Sequence, residues 1–338
     1  MENLTITLNG TGTGCAPPIT VSRSNLVPGA MLAFDMGTLS EISGCTDFNG
    51  AAVIKADLVG NPKRIVVSNI EYNQVNTNAS AVEGVADFDT ATTLWMPSAL
   101  CNFNGTSTTN YAIQNTDTTN FTNITIQYYD LSGNAAASQL FNNLGPGKKL
   151  DPSPSGCDVL PSGFIGSAKI TSSGGIKIAA IGKVTGAGAA TNFLAQRVGF
   201  SKLYLPYQRW ATDAEYTAGR RQRSYNAFQN IGPSPLLLNT VCVKFYDTNG
   251  AQQGNTICND GLNGRPAALA TGQKFNVHPV DAGVGQGSYG FGWDSLGNEN
   301  GGGATVEGPA GSQLIAVTRI TTFNSATDAP AEDYVGQP

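Results

Sequence analysis

Apolar and polar residues alternate with a period of two in many short segments of this chain. In residues 124–130, for example, Ile124, Ile126 and Tyr128 occupy every second position. This alternation is typical of a β-strand with one face on a core and the other face in solvent. Turn segments such as Asp130-Leu-Ser-Gly133 separate the strands. Because no segment shows a sustained period of 3.6 residues with helix caps, the pattern predicts an all-β protein.

Three blocks of sequence recur in the same order in three copies. Each sandwich-forming copy spans roughly 110–135 residues, and several short strands closed by turns over that length are typical of an antiparallel β-sandwich. An isolated hairpin is only marginally stable, so we expect the strands of one copy to form two packed sheets. The blocks begin at Leu26, Leu144 and Leu269, at Gly50, Gly166 and Gly302, and at Lys63, Lys177 and Gln313.

Two further blocks open the second and third copies only. Leu94-Trp-Met-Pro97 matches Leu203-Tyr-Leu-Pro206, and Tyr111–Asn115 matches Tyr225–Asn230 through an apolar-Gln-Asn core. Both blocks are followed by a strand-like segment, 124–130 or 241–247, and the first copy starts at the equivalent of that segment, in Leu4–Leu8. We therefore predict an incomplete sandwich followed by two complete ones and a tail, over residues 1–84, 85–190, 191–322 and 323–338.

The Leu-Tyr-Leu-Pro opening and the apolar closing strand of each copy resemble tandem immunoglobulin-like or fibronectin-like β-sandwich repeats. Such repeats occur in bacterial surface and extracellular filament proteins. The resemblance covers nearly the whole chain but rests on strand pattern, so no functional residue is carried over. It implies antiparallel immunoglobulin-like sandwiches, the first without its opening strands, and a structural role at the cell surface or outside the cell.

The six cysteines include no Cys-x-x-Cys pair, which disfavours zinc ribbons and thioredoxin-like redox sites. Two cysteines fall in each copy, which favours disulfides in an oxidising compartment. The start of the chain lacks the features of a signal peptide, so buried free thiols in a cytosolic protein stay an alternative. The repeat comparison predicts the pairs Cys15–Cys45, Cys101–Cys157 and Cys242–Cys258.

The tail suggests a mode of assembly. Its residues Glu332, Asp333, Tyr334 and Val335 loosely match the opening block of a repeat. We hypothesise that the tail adds a strand to the incomplete first copy of another subunit, in a manner similar to donor-strand assembly of bacterial pili. Such a heterologous contact would produce a ring or a filament. Two alternatives are a fragment of a longer array and a first domain that folds alone with a disordered tail.

Composition narrows the function classes. Charged residues make up 13% of the chain, about half of the usual share, and the formal net charge is −5. No basic cluster dominates, so nucleic-acid binding is not expected. The single histidine, His278, excludes metal sites with two or three histidines and is expected to be structural. We therefore predict no enzyme, no cofactor and no metal, and we find no stretch long enough for a membrane span.

Some surface residues are candidates for modification or binding. A loop in residues 281–303 carries Tyr289, Phe291 and Trp293, which could stack on surface glycans, and this gives an alternative function as an adhesin or glycan-binding protein. Asn-x-Ser/Thr sequons predict a glycoprotein, although an Asn- and Thr-rich chain also produces sequons by accident. They lie at Asn3, Asn9, Asn78, Asn104, Asn120 and Asn123.

Overall fold

A computed structural model describes residues 2–15, 18–27, 29–57, 65–73, 78–152, 157–186, 189–217, 221–284, 291, 301–323 and 331–338. This part of the protein is all-β, and every pair of neighbouring strands is antiparallel. Its helical elements are one five-residue helix, α1 (Asp213–Thr217), and three 3-10 turns. None of the described helices is long and apolar enough to cross a membrane.

Twenty-one strands account for most of the described residues. Glycine and Asx turns separate them, as the alternating pattern predicts. In chain order they are β1 (Glu2–Thr13), β2 (Ile19–Leu26), β3 (Thr46–Asp57), β4 (Ser68–Asn73), β5 (Asn78–Glu83), β6 (Thr93–Cys101), β7 (Thr108–Asn115), β8 (Thr122–Asp130), β9 (Ala135–Leu144), β10 (Lys149–Leu150), β11 (Phe164–Ser172), β12 (Ile178–Gly186), β13 (Ala189–Leu194), β14 (Lys202–Gln208), β15 (Arg221–Asn230), β16 (Cys242–Asp247), β17 (Gln252–Cys258), β18 (Lys274–Val277), β19 (Gly302–Glu307), β20 (Leu314–Phe323) and β21 (Ala331–Val335).

The second domain contains two four-stranded sheets, with strand orders β6-β11-β8-β9 and β10-β7-β12-β13. Buried residues alternate with partly exposed ones along β7 and β8, so that each strand turns one face to the other sheet. The two inner faces share one core, an arrangement consistent with a β-sandwich. Its members include Leu94, Met96, Tyr111, Ile113, Ile126, Ile170, Ile178 and Phe193.

The third domain repeats this topology strand for strand. Its sheets have the orders β14-β19-β16-β17 and β18-β15-β20-β21. We letter the eight strand positions a to h in chain order, so that β6 and β14 hold position a and β13 and β21 hold position h. Both domains then contain the sheets a-f-c-d and e-b-g-h. The predicted repeats are therefore present as repeated structure.

The same turn closes the c–d hairpin in both domains. The Asp130 carboxylate accepts hydrogen bonds from the backbone N–H groups of Ser132 and Asn134, and Asp247 makes the equivalent bonds two and four residues ahead. Gly133 and Gly250 adopt φ of 82° and 81° in these turns, where a side chain would be strained. The turn chemistry thus sets the register of the hairpin locally.

The first domain contains only part of this framework. Its three-stranded sheet has the order β2-β1-β3, which corresponds to d-c-f, and β4 and β5 form a hairpin at positions g and h. No described residue of this domain holds position a or b. The described residues of the e block, which follows Leu26, form no strand. The structure thus agrees with the sequence comparison, in which the first copy lacks its two opening blocks.

The C-terminal tail belongs to the third domain. β21 pairs with β20, with Val335 opposite Val317 and Glu332 opposite Ile320. It holds position h, as β13 does in the second domain, so the interpretation of the tail as the opening strand of a fourth repeat is wrong. The physical reason is that sheet e-b-g-h would otherwise end at β20 with an open edge. The third domain therefore extends to residue 335, and β13 extends the second domain to residue 194.

Candidate assembly site in the first domain

The first domain has a small core of its own on the sheet β2-β1-β3. Leu8 and Ile6 alternate along β1 and pack with Val21, Leu39 and Ile42. The segment before β3 is fixed to β2 by an ion pair at 2.8 Å between Arg23 and Glu41. Donation by the guanidinium holds the pKa of the Glu41 carboxyl down to about 2. The half of the domain that carries positions d, c and f is therefore ordered and packed.

The outer edge of β3 is open among the described residues. In the second and third domains the strand at position f pairs with position a on one side and with position c on the other. β3 holds position f and pairs with β1 only, through residues 3–13 of that strand. An open edge presents backbone donors and acceptors to any further strand.

Two core positions of β3 are under-packed beside this edge. Ala52 and Ile54 lie opposite Leu8 and Ile6, on the face that carries the core. Ala52 is exposed and Ile54 is half-buried. The residues that the repeat aligns with Ala52 and Ile54 are all buried, namely Ala168, Ile170, Ala304 and Val306.

The contrast is larger at position g. Val66 is 93% exposed and Ile70 is 69% exposed. Each of the residues aligned with these two positions in the complete domains is at most 5% exposed, and they are Ala180, Val184, Ala316 and Ile320. At two positions whose side chains are buried in both complete repeats, the first domain thus has side chains that face solvent.

Position e shows the same difference. Leu32 of the e block is 39% exposed. The residue aligned with it in the second domain, Leu150, is half-buried and packs against the core, and Phe275 of the third domain is 2% exposed. Leu32, Ala52, Ile54, Val66 and Ile70 are thus all more exposed than the residues aligned with them in the complete repeats, and we call this set of residues the open face.

Sequence reasoning missed the open face as a site. Its residues were already placed by the repeat comparison, because Val66 aligns with Ala180 and Ala316 without a gap. Their exposure could not be read from that alignment, since exposure depends on which strands lie opposite them. The signal was the absence of the two opening blocks, and it needed a structure to show which side chains this absence leaves uncovered.

The structure contains three disulfides, Cys15–Cys45, Cys101–Cys157 and Cys242–Cys258. These are the three predicted pairs, and each one lies within a single domain. Cys242 and Cys258 are directly opposite each other on β16 and β17. Three intradomain disulfides indicate an oxidising compartment, and an extracellular or periplasmic one fits best.

The predicted donor residues Glu332–Val335 are held within the chain. The Asp333 carboxylate has no exposed surface and accepts two hydrogen bonds at 2.9 Å from the Arg319 guanidinium. It also accepts a bond at 2.7 Å from the Thr191 hydroxyl on β13 of the second domain. Donation of this strand to another subunit would break these contacts, and an intersubunit contact through it stays a prediction.

The loop aromatics do not form an exposed cluster in the described residues. Tyr289 and Trp293 lie outside the described residues. Phe291 has no exposed surface and packs edge-on against Phe245 at 5.8 Å in the core of the third domain. The expectation that Phe291 serves as a ligand-contacting residue is therefore wrong, because its ring fills the space beneath β19. Glycan binding stays a prediction about the other two residues.

His278 is a packed residue of the third domain. Its ring lies parallel to Trp210 at 6.0 Å and edge-on to Tyr225 at 5.1 Å, and Nδ1 accepts a hydrogen bond from the backbone N–H of Asn226. Burial is the main reason that the pKa of His278 is lowered, although the nearby Asp281 opposes this shift. Among the described residues, no group of three metal-binding side chains occurs.

The sequons differ in accessibility. Asn3, Asn104, Asn120 and Asn123 are exposed. Asn9 is half-buried and lies against Gly147 of the second domain. The side chain of Asn78 lies outside the described residues. Glycosylation of the exposed sites stays a prediction.

Comparison with models of protein families and with curated proteins found no match for this chain. The internal repeat therefore supplies the reference. Two complete copies show what surrounds each strand position, and the first copy shows which of these positions is uncovered. Within the described residues, the site consists of the unpaired edge of β3 and of exposed or half-buried apolar side chains.

Proposed function

We propose that this protein is an extracellular structural subunit built from tandem immunoglobulin-like β-sandwich repeats. Its first domain is completed by β-strands from a neighbouring subunit, so that subunits join head-to-tail into a filament or surface layer. The observation that carries the proposal is the exposure of Val66 and Ile70 at positions that are buried in both complete repeats.

Burial of the open face and hydrogen bonds along β3 would stabilise a contact with a partner. Burying a Val, Ile or Leu side chain contributes about 1.5–3 kcal/mol, and Leu32, Val66 and Ile70 are all available. The edge of β3 adds backbone hydrogen bonds, which give affinity in strand addition without requiring a particular donor sequence. Because acceptor and donor are different surfaces, the contact is heterologous and can propagate. In the simplest assembly the neighbouring subunit is a second copy of this chain.

The rest of the molecule fits a structural role outside the cell. Each domain has one disulfide, which resists unfolding in the absence of chaperones and reducing agents. Charged residues are only 13% of the chain, which lowers the cost of covering its surface with neighbouring molecules.

The proposal is tested in the cells that produce the protein. We compare wild type with the double variant Val66→Asp and Ile70→Asp, and we use Leu262→Asp as the control, because Leu262 is an apolar residue of the third domain that is also largely exposed, at 61%. Surface material is isolated, separated by sedimentation and examined by electron microscopy. We expect wild type and the control in high-mass assemblies and the double variant in the soluble fraction. If the double variant sediments with wild type, the open face does not hold the assembly together.

A further inference from the structure

A second feature of the complete repeats concerns the strand that would fill position b. In the second domain, Asn115 ends β7 and has no exposed surface. Its amide Nδ2 donates to the carbonyl oxygens of Leu144, at 3.0 Å, and Asn120, at 2.8 Å. Its Oδ1 accepts a bond at 2.9 Å from the backbone N–H of Asp117. The side chain therefore joins the end of strand b to the start of the e block.

The third domain repeats this arrangement. Asn230 ends β15, has no exposed surface, and donates from Nδ2 to the carbonyls of Leu269 and Ser234, both at 2.9 Å. Its Oδ1 accepts a bond at 2.9 Å from the backbone N–H of Gly232. The two asparagines thus bind the same position, because Leu144 and Leu269 are aligned at the start of the e block. Replacing such an asparagine by an apolar residue would leave these buried backbone groups without partners and would lower the free energy of unfolding.

The first domain retains the acceptor of this bond. Leu26 is the residue that aligns with Leu144 and Leu269, and it ends β2 as Leu144 ends β9. Leu144 and Leu269 are buried, whereas Leu26 is half-buried. No described residue of the first domain holds position b, so the asparagine would come from the added strand.

Position a imposes a second requirement. In the second domain Leu94 and Met96 lie opposite Ile170 and Ala168 and are at most 1% exposed. In the third domain Leu203 and Leu205 lie opposite Val306 and Ala304 and have no exposed surface. The aligned residues of β3 are Ile54 and Ala52. An added strand at this edge therefore needs two apolar residues spaced by two.

Resting on the proposed function, we infer which partner the open face accepts. It is a segment of a neighbouring polypeptide that supplies both missing strands of this repeat type. The first strand runs antiparallel to β3 and places two large apolar residues opposite Ile54 and Ala52. The second strand lies between positions e and g, covers Val66 and Ile70, and ends in apolar-Gln-Asn. The amide of that asparagine donates to the carbonyl oxygen of Leu26.

The tail does not meet these requirements. Residues 331–338 form one strand of five residues and contain no asparagine. They already hold position h of the third domain. A donor with the pattern of β6 and β7 satisfies both missing positions, whereas the tail would satisfy neither the apolar pair nor the amide bond.

The probe is a synthetic peptide of residues 91–117 of this chain with Cys101→Ser, which carries the sequence of β6 and β7. Labelled peptide is titrated into the purified protein and followed by fluorescence anisotropy, and hydrogen exchange is measured on β3 and residues 65–70. We expect saturable binding and slower exchange in both segments. The matched peptide with Asn115→Leu keeps the volume but lacks the amide, and we expect it to bind at least about 10-fold more weakly, because it would leave the buried carbonyl oxygen of Leu26 without a hydrogen-bond donor.

A fused variant covers the case in which the free peptide aggregates. The same segment, with and without Asn115→Leu, is linked ahead of Met1 through a flexible Gly/Ser linker. We expect the unmodified fusion to slow exchange on β3 and the Asn115→Leu fusion to do so less. Equal effects of the two segments, or exchange on β3 unchanged by both, would overturn the inference.

The two proposals fail separately. Peptide binding that requires the asparagine supports the partner chemistry even if Val66→Asp and Ile70→Asp leave the surface assemblies intact, and in that case the open face does not hold the assembly together. Loss of the assemblies without binding of either segment supports the structural role and shows that the open face takes a different occupant.

Discussion

At the scale of single residues, the buried polar side chains form hydrogen bonds with backbone groups that would otherwise have no partner. Asn115 and Asn230 are buried because each joins two carbonyls at the end of strand b. Asn226 links Gln208, Thr318 and the carbonyl of Val277 inside the third domain. Such side chains define one strand register, because a shifted register would leave their amides unpaired.

Lys274 is a charged residue in a different situation. It lies on β18 beside Phe275, which points to the core, so Lys274 points to the opposite face of the sheet. Ile315 lies on that same face and packs against Trp95 of the second domain. Burial at this domain contact, with a smaller effect from the positive charge of Arg319, lowers the pKa of Lys274 to about 7.

We expect Lys274 to make stability depend on pH. Between about pH 7 and pH 10.5 the unfolded chain binds a proton that the folded chain lacks, so the free energy of unfolding rises with pH, by at most about 1.4 kcal/mol per unit. Lys274→Met should remove this slope and raise the free energy of unfolding at pH 7. Urea unfolding at pH 7, 8 and 9 measures both effects, with the exposed Lys202→Met as the control. Parallel slopes for wild type and Lys274→Met would contradict the buried-amine explanation.

At the scale of elements, each domain uses its disulfide at a different place in the framework. Cys242–Cys258 joins neighbouring strands c and d of one sheet, across a separation of 16 residues. Cys101–Cys157 joins the end of strand a to the segment before strand f, across 56 residues. The second bond therefore restricts a much longer loop of the unfolded chain.

The two disulfides should differ in their contribution to stability. By loop length alone, the loss is about 3 kcal/mol for Cys242→Ser with Cys258→Ser and about 4 kcal/mol for Cys101→Ser with Cys157→Ser. Urea unfolding of the two double variants checks the order. A larger loss for the Cys242 and Cys258 variant would show that packing around β16 and β17 outweighs the loop entropy.

At the scale of the whole molecule, the second and third domains are joined by a buried contact. Trp95, Ile231 and Ile315 form a small apolar cluster between them, with Tyr129 packed beside it. The Ser167 hydroxyl of β11 donates to the carbonyl of Gly272 at 2.7 Å. We therefore expect these two domains to unfold together, and the first domain, with its open face, to unfold at a lower temperature.

Trp95→Ala tests this coupling. The Trp95 ring lies outside the core cluster of the second domain, so its removal should weaken the domain contact by about 3–5 kcal/mol and leave that core intact. We expect the shared calorimetric transition to split into two. Leu140→Ala, at an exposed position of β9, is the control and should leave one shared transition. A single transition for Trp95→Ala would mean that other contacts couple the domains.

The sequence by itself determined the all-β class and the disulfide pairs, and it showed three copies, the first of which has no counterpart of the two opening sequence blocks. These features depend on local alternation, turn chemistry and self-similarity, which a linear chain displays directly. Only the tertiary structure decided that the tail completes the third domain, that Phe291 lies in a core, and that Val66 and Ile70 are uncovered. Each of these features depends on which strand lies next to which. Pairing between strands that are distant in sequence depends on packing of the whole sheet, so the sequence of one segment does not determine it.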